Sequence, residues 1–128
     1  PGQVVKAMLE ADAYDGPSLI IAYSHCIAHG INMTTAVDGC KEAVTSGYWP
    51  LFRFDPRLAA EGKNPLQLDS KAPTTSFEDF TSKQNRFRML KKANPEQAEE
   101  LMEASAKDFA ARFDLYQKLA DLSADCGK

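Results

Sequence analysis

Seven consecutive residues carry the side chains best suited to chemistry: Ser24, His25, Cys26, Ile27, Ala28, His29 and Gly30. Thiolate and imidazole are soft-to-borderline donors that suit zinc, copper or iron–sulfur clusters. Cys26 and His29 stand close enough in sequence for one metal to take both. A structural zinc site needs four ligands, and this loop offers only Cys26, His25 and His29. A Cys–His pair can also form a nucleophile, because a neighbouring imidazolium lowers a thiol's pKa. No orienting group or oxyanion donor is evident to complete such a site. The plain alternative is that Cys26 is a small buried thiol at the end of a strand. Spacing leaves all of these open.

The other candidates read more simply. Cys40 falls on the apolar face of a helix and reads as core. Cys126 sits in a polar tail and reads as an exposed spectator thiol. His29 with Gly30 suits a histidine that orients its own loop. Three cysteines are odd in number and too few for a disulfide scaffold, which fits a reducing, cytoplasmic setting. Lys83, Arg86, Arg88, Lys91 and Lys92 spread over more than one face of a helix. They read as a solvated basic surface or as a docking patch for an acidic partner.

The elements that must position these residues follow from periodicity and break signals. Val4, Val5, Met8 and Leu9 have helical spacing, and that helix stops by residue 13 at Tyr14, Asp15, Gly16 and Pro17. Residues 18–23 form a short apolar run rich in branched side chains, the pattern of a strand buried on both faces of a parallel sheet. Open α/β sheets place ligands just past the carboxyl ends of such strands, where Cys26 lies. Thr34 or Thr35 caps a helix with Val37, Cys40, Ala43 and Val44 on one face, ending at Ser46 and Gly47. Residues 48–54 read as a second strand, with Pro50 favouring an edge or a bulge, and residues 66–68 as a very short third. Ser76 caps a helix with Phe77, Phe80, Phe87 and Leu90 inward and Asp79 in a capping box. Asn94, Pro95 and Gln97 open a last helix whose apolar stripe is Leu101, Met102, Phe109, Phe113, Tyr116, Leu119 and Leu122.

The expected fold is therefore α/β, with two or three strands and flanking helices over residues 1–75 and a helical segment over 76–128. So few strands make a poor sheet, and one buried on both faces needs helices on each side. The pattern reads as the last third of an α/β domain, and the chain starts as though cut from something longer. Its 128 residues are 44% hydrophobic and 26% charged, a globular composition. A net charge of −3 argues against nucleic acid as the main partner. No apolar run approaches the roughly 20 residues of a membrane-spanning helix, and no secretory signal is evident.

Four motifs now stand in order: GPSLIIAY at 16–23 running into CIAHGI at 26–31, SGYWPLFRF at 46–54, GKNPL at 62–66, and LDSK at 68–71. With the capped helix opening at Asn94, Pro95 and Glu96, they make the chain resemble the C-terminal stretch of the pyruvate:ferredoxin (flavodoxin) oxidoreductases over nearly its whole length. The resemblance implies the C-terminal portion of a thiamine-diphosphate-binding-type parallel-sheet domain, followed by two helices. It implies that Cys26 is the fourth thiolate on the 4Fe-4S cluster nearest the thiamine diphosphate, the other three cysteines lying well upstream.

The implied reaction converts pyruvate and CoA to acetyl-CoA and carbon dioxide, passing two electrons to ferredoxin or flavodoxin. The implied parent is a cytoplasmic homodimer, and the isolated chain would be inactive. Two features depart from the family's pattern. Many members carry proline before the cysteine and asparagine two residues after it, where this chain has His25 and Ala28. The Gly-Asp-Gly motif that would hold magnesium and thiamine diphosphate is absent, so no catalytic or thiamine-binding residue is carried over, and the resemblance assigns no role to His25. Two readings of other classes stand beside this one: a non-catalytic docking or assembly module, and a small zinc-binding protein using Cys26 and His29.

Overall fold

Helix α1, Gly2–Asp12, forms where the spacing predicts it, but its apolar side is not covered. Val4, Val5, Met8 and Leu9 are all more than half exposed. What holds α1 is polar. Glu10 takes the Arg53 guanidinium at 2.6 Å, Gln3 Nε2 donates to Asp69 at 3.1 Å, and Arg57 Nη1 donates to the Ala13 carbonyl at 2.9 Å. The computed structural model describes residues 2–29 and 31–122.

The chain then runs as an unpaired segment through residues 17–26. The strand expected over 18–23, buried on both faces, is not formed. Leu19 is 84% exposed and Ile21 71%. The residues have the branched, apolar character of a central strand, but no described strand lies alongside to take their backbone groups.

Helix α2, Ala36–Thr45, follows a single 3-10 turn, Met33–Thr35. The side-chain cap is Asn32, which accepts from Thr34 N at 3.0 Å; Thr35 sits at the α2 N-cap without a capping bond. Ala43 is fully buried, whereas Val37, expected on the same face, is 76% exposed. The helix ends at Ser46, and Gly47 turns the chain at φ +74, a left-handed conformation that glycine adopts without strain. A Cβ there would also meet Pro73 at 2.9 Å.

The sheet is a two-stranded antiparallel pair rather than a parallel one. Strand β1, Phe52–Phe54, pairs with β2, Leu66–Leu68, in the register Phe52↔Leu68, Arg53↔Gln67 and Phe54↔Leu66. Pro50 falls just outside β1, as a residue lacking a ladder donor should. The connection carries a short helix, α3, Arg57–Ala60. The molecule is thus mixed α/β, and helices outweigh sheet.

The single helix expected after Ser76 is two. Helix α4, Phe77–Ser82, is capped by Ser76, which accepts from Asp79 N at 3.0 Å; the chain breaks at Lys83 and Gln84 and resumes as α5, Asn85–Ala93. Helix α6, Pro95–Asp121, opens as predicted, with Asn94 accepting from Gln97 N at 3.3 Å. It packs on α4, α5 and β2 through Ala98, Phe109, Phe113 and Tyr116, while Leu101, Leu119 and Leu122 are exposed.

The far end of α6 is tied down by one side chain. Asn64 Nδ2 donates to the carbonyls of Leu119, Ala120 and Leu122 at 2.7–2.9 Å, and its Oδ1 accepts from Leu66 N. These carbonyls belong to the last turn, which has no intrahelical donors for them. Asn64→Ala is expected to cost about 1–2 kcal/mol. The check is a lower urea midpoint with an unchanged slope, and faster hydrogen exchange at the end of α6.

Candidate functional site

Tyr48 is the hub that fixes the start of the 24–29 loop. Its ring lies 4.8 Å from Phe109, 5.0 Å from Phe80 and 6.4 Å from Phe77, centroid to centroid. Arg112 Nη2 donates to the Tyr48 carbonyl at 2.6 Å. Onto this platform comes Tyr23, edge-on to Tyr48 at 6.0 Å and tilted against Trp49 at 5.4 Å. Aromatic pairs at such distances contribute beyond their buried area. Burial pushes the Tyr23 phenol above its ordinary value, against the opposing pull of Arg86, whose Nη2 lies 3.5 Å from the hydroxyl.

Two residues further on, His25 Nδ1 lies 3.6 Å from Cys40 Sγ on α2. Both are partly buried and both thiol and ring are otherwise unpaired among the described residues. Cys26 then emerges as an exposed free thiol. Against the buried-thiol alternative for Cys26, no described residue of this chain encloses it. Cys40, expected as plain core, is half-buried and meets the loop. The helical spacing turned Cys40 inward correctly, but no sequence signal says which loop residue it faces.

Among the described residues no three His, Cys, Asp or Glu side chains gather as a metal site. The side chain of His29, Gly30 and Cys126 lie outside the described residues, so the zinc pairing of Cys26 with His29 and the spectator role of Cys126 fall there too.

The basic cluster divides into three kinds of residue. Lys83 is paired with Glu42 at 2.7 Å. Arg86 is half-buried, its guanidinium 5.3 Å over Tyr48 and 4.9 Å over Phe87. Only Arg88, Lys91 and Lys92 of α5 stand exposed without a carboxylate partner among the described residues.

Two of the motifs prove to be architectural. In LDSK, Asp69 forks onto Arg53 at 2.7 and 2.8 Å, and Ser70 Oγ accepts from Leu51 N at 2.8 Å. In GKNPL, Asn64 anchors α6. Neither contributes a group to the loop that bears Cys26.

Comparison with known proteins finds the chain similar to one segment of pyruvate-flavodoxin and pyruvate:ferredoxin oxidoreductases. It matches such enzymes at 43–55% identity along nearly its whole length, so the resemblance carried by the motifs is borne out. The pyruvate-flavodoxin oxidoreductase of Nostoc is 55% identical over 118 residues, and the pyruvate:ferredoxin oxidoreductase of Moorella thermoacetica 55% over 119. These alignments take in 92% and 93% of this chain but 10% of each relative. A mitochondrial pyruvate dehydrogenase [NADP(+)] of Euglena gracilis is 48% identical over 93% of the chain and 7% of its own length. The chain thus spans about a tenth of the length of the curated relatives it matches. No family model matches it. No helix among the described residues is long and apolar enough to cross a membrane.

Proposed function

We propose that this chain is one segment of a pyruvate:ferredoxin or pyruvate:flavodoxin oxidoreductase, and that Cys26 supplies one thiolate to a 4Fe-4S cluster whose other ligands lie in another segment. The observation that carries the reading is an exposed, free Cys26 directly after an unpaired apolar segment, in a chain matching a tenth of such enzymes. Such a cluster takes four thiolates. An accessible thiol that belongs to no group of three or more His, Cys, Asp or Glu side chains among the described residues fits a ligand shared between segments.

When bound, the cluster supplies one-electron transfer, and thiamine diphosphate with Mg2+ supplies the carbanion chemistry of the parent. The overall reaction is pyruvate plus CoA to acetyl-CoA, carbon dioxide and two electrons. This chain's own part is to present Cys26: Tyr23 seats the loop on Tyr48 and Trp49, and the bulk of α4 and α6 holds that platform still.

Residues 18–23 belong, in this reading, to a parallel sheet completed by the rest of the polypeptide, a thiamine-diphosphate-type domain to which residues 1–75 contribute and 76–128 append helices. Pairing on both sides would satisfy the open backbone and cover Leu19, Ile20 and Ile21. Arg88, Lys91 and Lys92 offer an acidic ferredoxin or flavodoxin a complementary surface. The NADP-linked name of the Euglena relative suggests that the final acceptor is selected elsewhere in these enzymes. A cytoplasmic homodimer is the expected form of the parent.

The bare apolar sides of α1 and of residues 19–21 favour one other reading, a docking module without catalysis. The two separate on one assay. The full-length polypeptide, purified without oxygen, is expected to reduce flavodoxin or ferredoxin only with both pyruvate and CoA present. Iron- and thiamine-loaded protein that reduces neither would overturn the enzyme reading in favour of the module.

A further inference from the structure

We infer that the Cys40–His25 contact is the pin that sets the direction of Cys26, making Cys40 and His25 positioning residues for the ligand loop; this rests on the reading of Cys26 as a cluster thiolate. The loop is held at two points. Tyr23 is seated on Tyr48 and Trp49, and His25 Nδ1 meets Cys40 Sγ at 3.6 Å. Cys40 is itself on a fixed element, one turn before the fully buried Ala43 of α2. Cys26 is the next residue after the second hold and is the first to be exposed and free.

The pin does at residue 25 what a rigid backbone would do by itself. A proline at position 25 restricts its own φ and the conformation of residue 24, so it sets the entry to the ligand without any partner. Histidine leaves the backbone free, and here a side-chain contact to the neighbouring helix replaces the ring's constraint. Groups that orient a metal ligand are worth about 10–100-fold in metal affinity.

The test uses the full-length enzyme, loaded with its clusters, and reads iron loss to a chelator together with the EPR spectrum. Cys40→Ala and His25→Ala are expected to release iron about tenfold faster and to alter the signal of one cluster. Cys40→Ser, which keeps a hydrogen-bonding group, and His25→Pro, which fixes the backbone by its ring instead, are expected to retain the parent's rate. Val37→Gly loosens the same helix at an exposed position without touching the pair, and is expected to leave both readouts unchanged.

Iron retention and spectra unaltered in Cys40→Ala, in an enzyme where Cys26→Ser does disrupt a cluster, would overturn the pin and leave the ligand reading intact. Equal losses in Val37→Gly would overturn it as mere helix stability. Clusters indifferent to Cys26→Ser would remove the ligand reading, and the pin with it.

Discussion

In the full-length enzyme, Cys26→Ser is expected to eliminate or grossly distort the EPR signal of one 4Fe-4S cluster and to lower pyruvate-dependent electron transfer at least about a hundredfold, since even the outer partners of a metal ligand are worth 10–100-fold. The fold should not notice. Cys26 is exposed and its side chain makes no hydrogen bond among the described residues, and such surface changes stay within about 0.5 kcal/mol. Unchanged secondary structure together with a missing cluster therefore assigns the loss to ligation. Full activity and normal iron and sulfide content would mean that Cys26 is a surface thiol.

Arg53→Ala has the opposite signature, a fold effect without a direct chemical one. The guanidinium is 8% exposed in the middle of β1, forked onto Asp69, bonded to Gln67 Oε1 at 2.8 Å and paired with Glu10 of α1. Removing it strands two carboxylates, one of them about one-third exposed, so the expected cost is about 3 kcal/mol, the low end for breaking a buried pair. Because α1 has no buried apolar residue, its amides should lose exchange protection before those of α4 and α6.

The same network sets a pH dependence. The hydrogen bond from Arg53 holds the Asp69 carboxyl below its ordinary 3.8, with burial pushing the other way and Gln3 adding to the pull. A depressed folded-state pKa means the stabilisation is complete above about pH 4 and is lost as the pH falls through the folded value. Urea midpoints should therefore drop as the pH falls below about 4, and Arg53→Ala should flatten that drop. An equally steep acid limb in the variant would exclude Asp69 as its source.

How far the sequence foretold all this depends on whether the controlling partner was local. The caps at Ser76 and Asn94 were legible because each acts within three residues of itself. The stop at Gly47 was legible for the same reason, whereas the strand expected over 48–54 shrinks to Phe52–Phe54 and only the one at 66–68 keeps its bounds. The parallel sheet was inferred from the apolar run at 18–23, and apolar character says only that a segment prefers burial, not what does the burying. The break at Lys83 and Gln84 was hidden because Phe77, Phe80, Phe87 and Leu90 stay near one helical period across it. Of the site, Cys26 was named through resemblance. The Cys40–His25 contact was missed because it joins a helix to a loop fifteen positions away, and no periodicity encodes such a meeting.

The bare segment at 18–23 has a consequence for how this polypeptide behaves when handled or synthesised. Ser18, Leu19, Ile20, Ile21, Ala22 and Tyr23 include the strand-favouring Ile20, Ile21 and Tyr23 and have no charge, glycine or proline among them, the profile of a stretch that stacks with copies of itself. Its backbone is open to any passing strand. The chain by itself is thus a seed for self-association, and whatever normally lies against that stretch acts as its guard. Proper assembly and protection from aggregation would then be one event, so a defect that delays assembly would lower soluble yield before it touched any catalytic property.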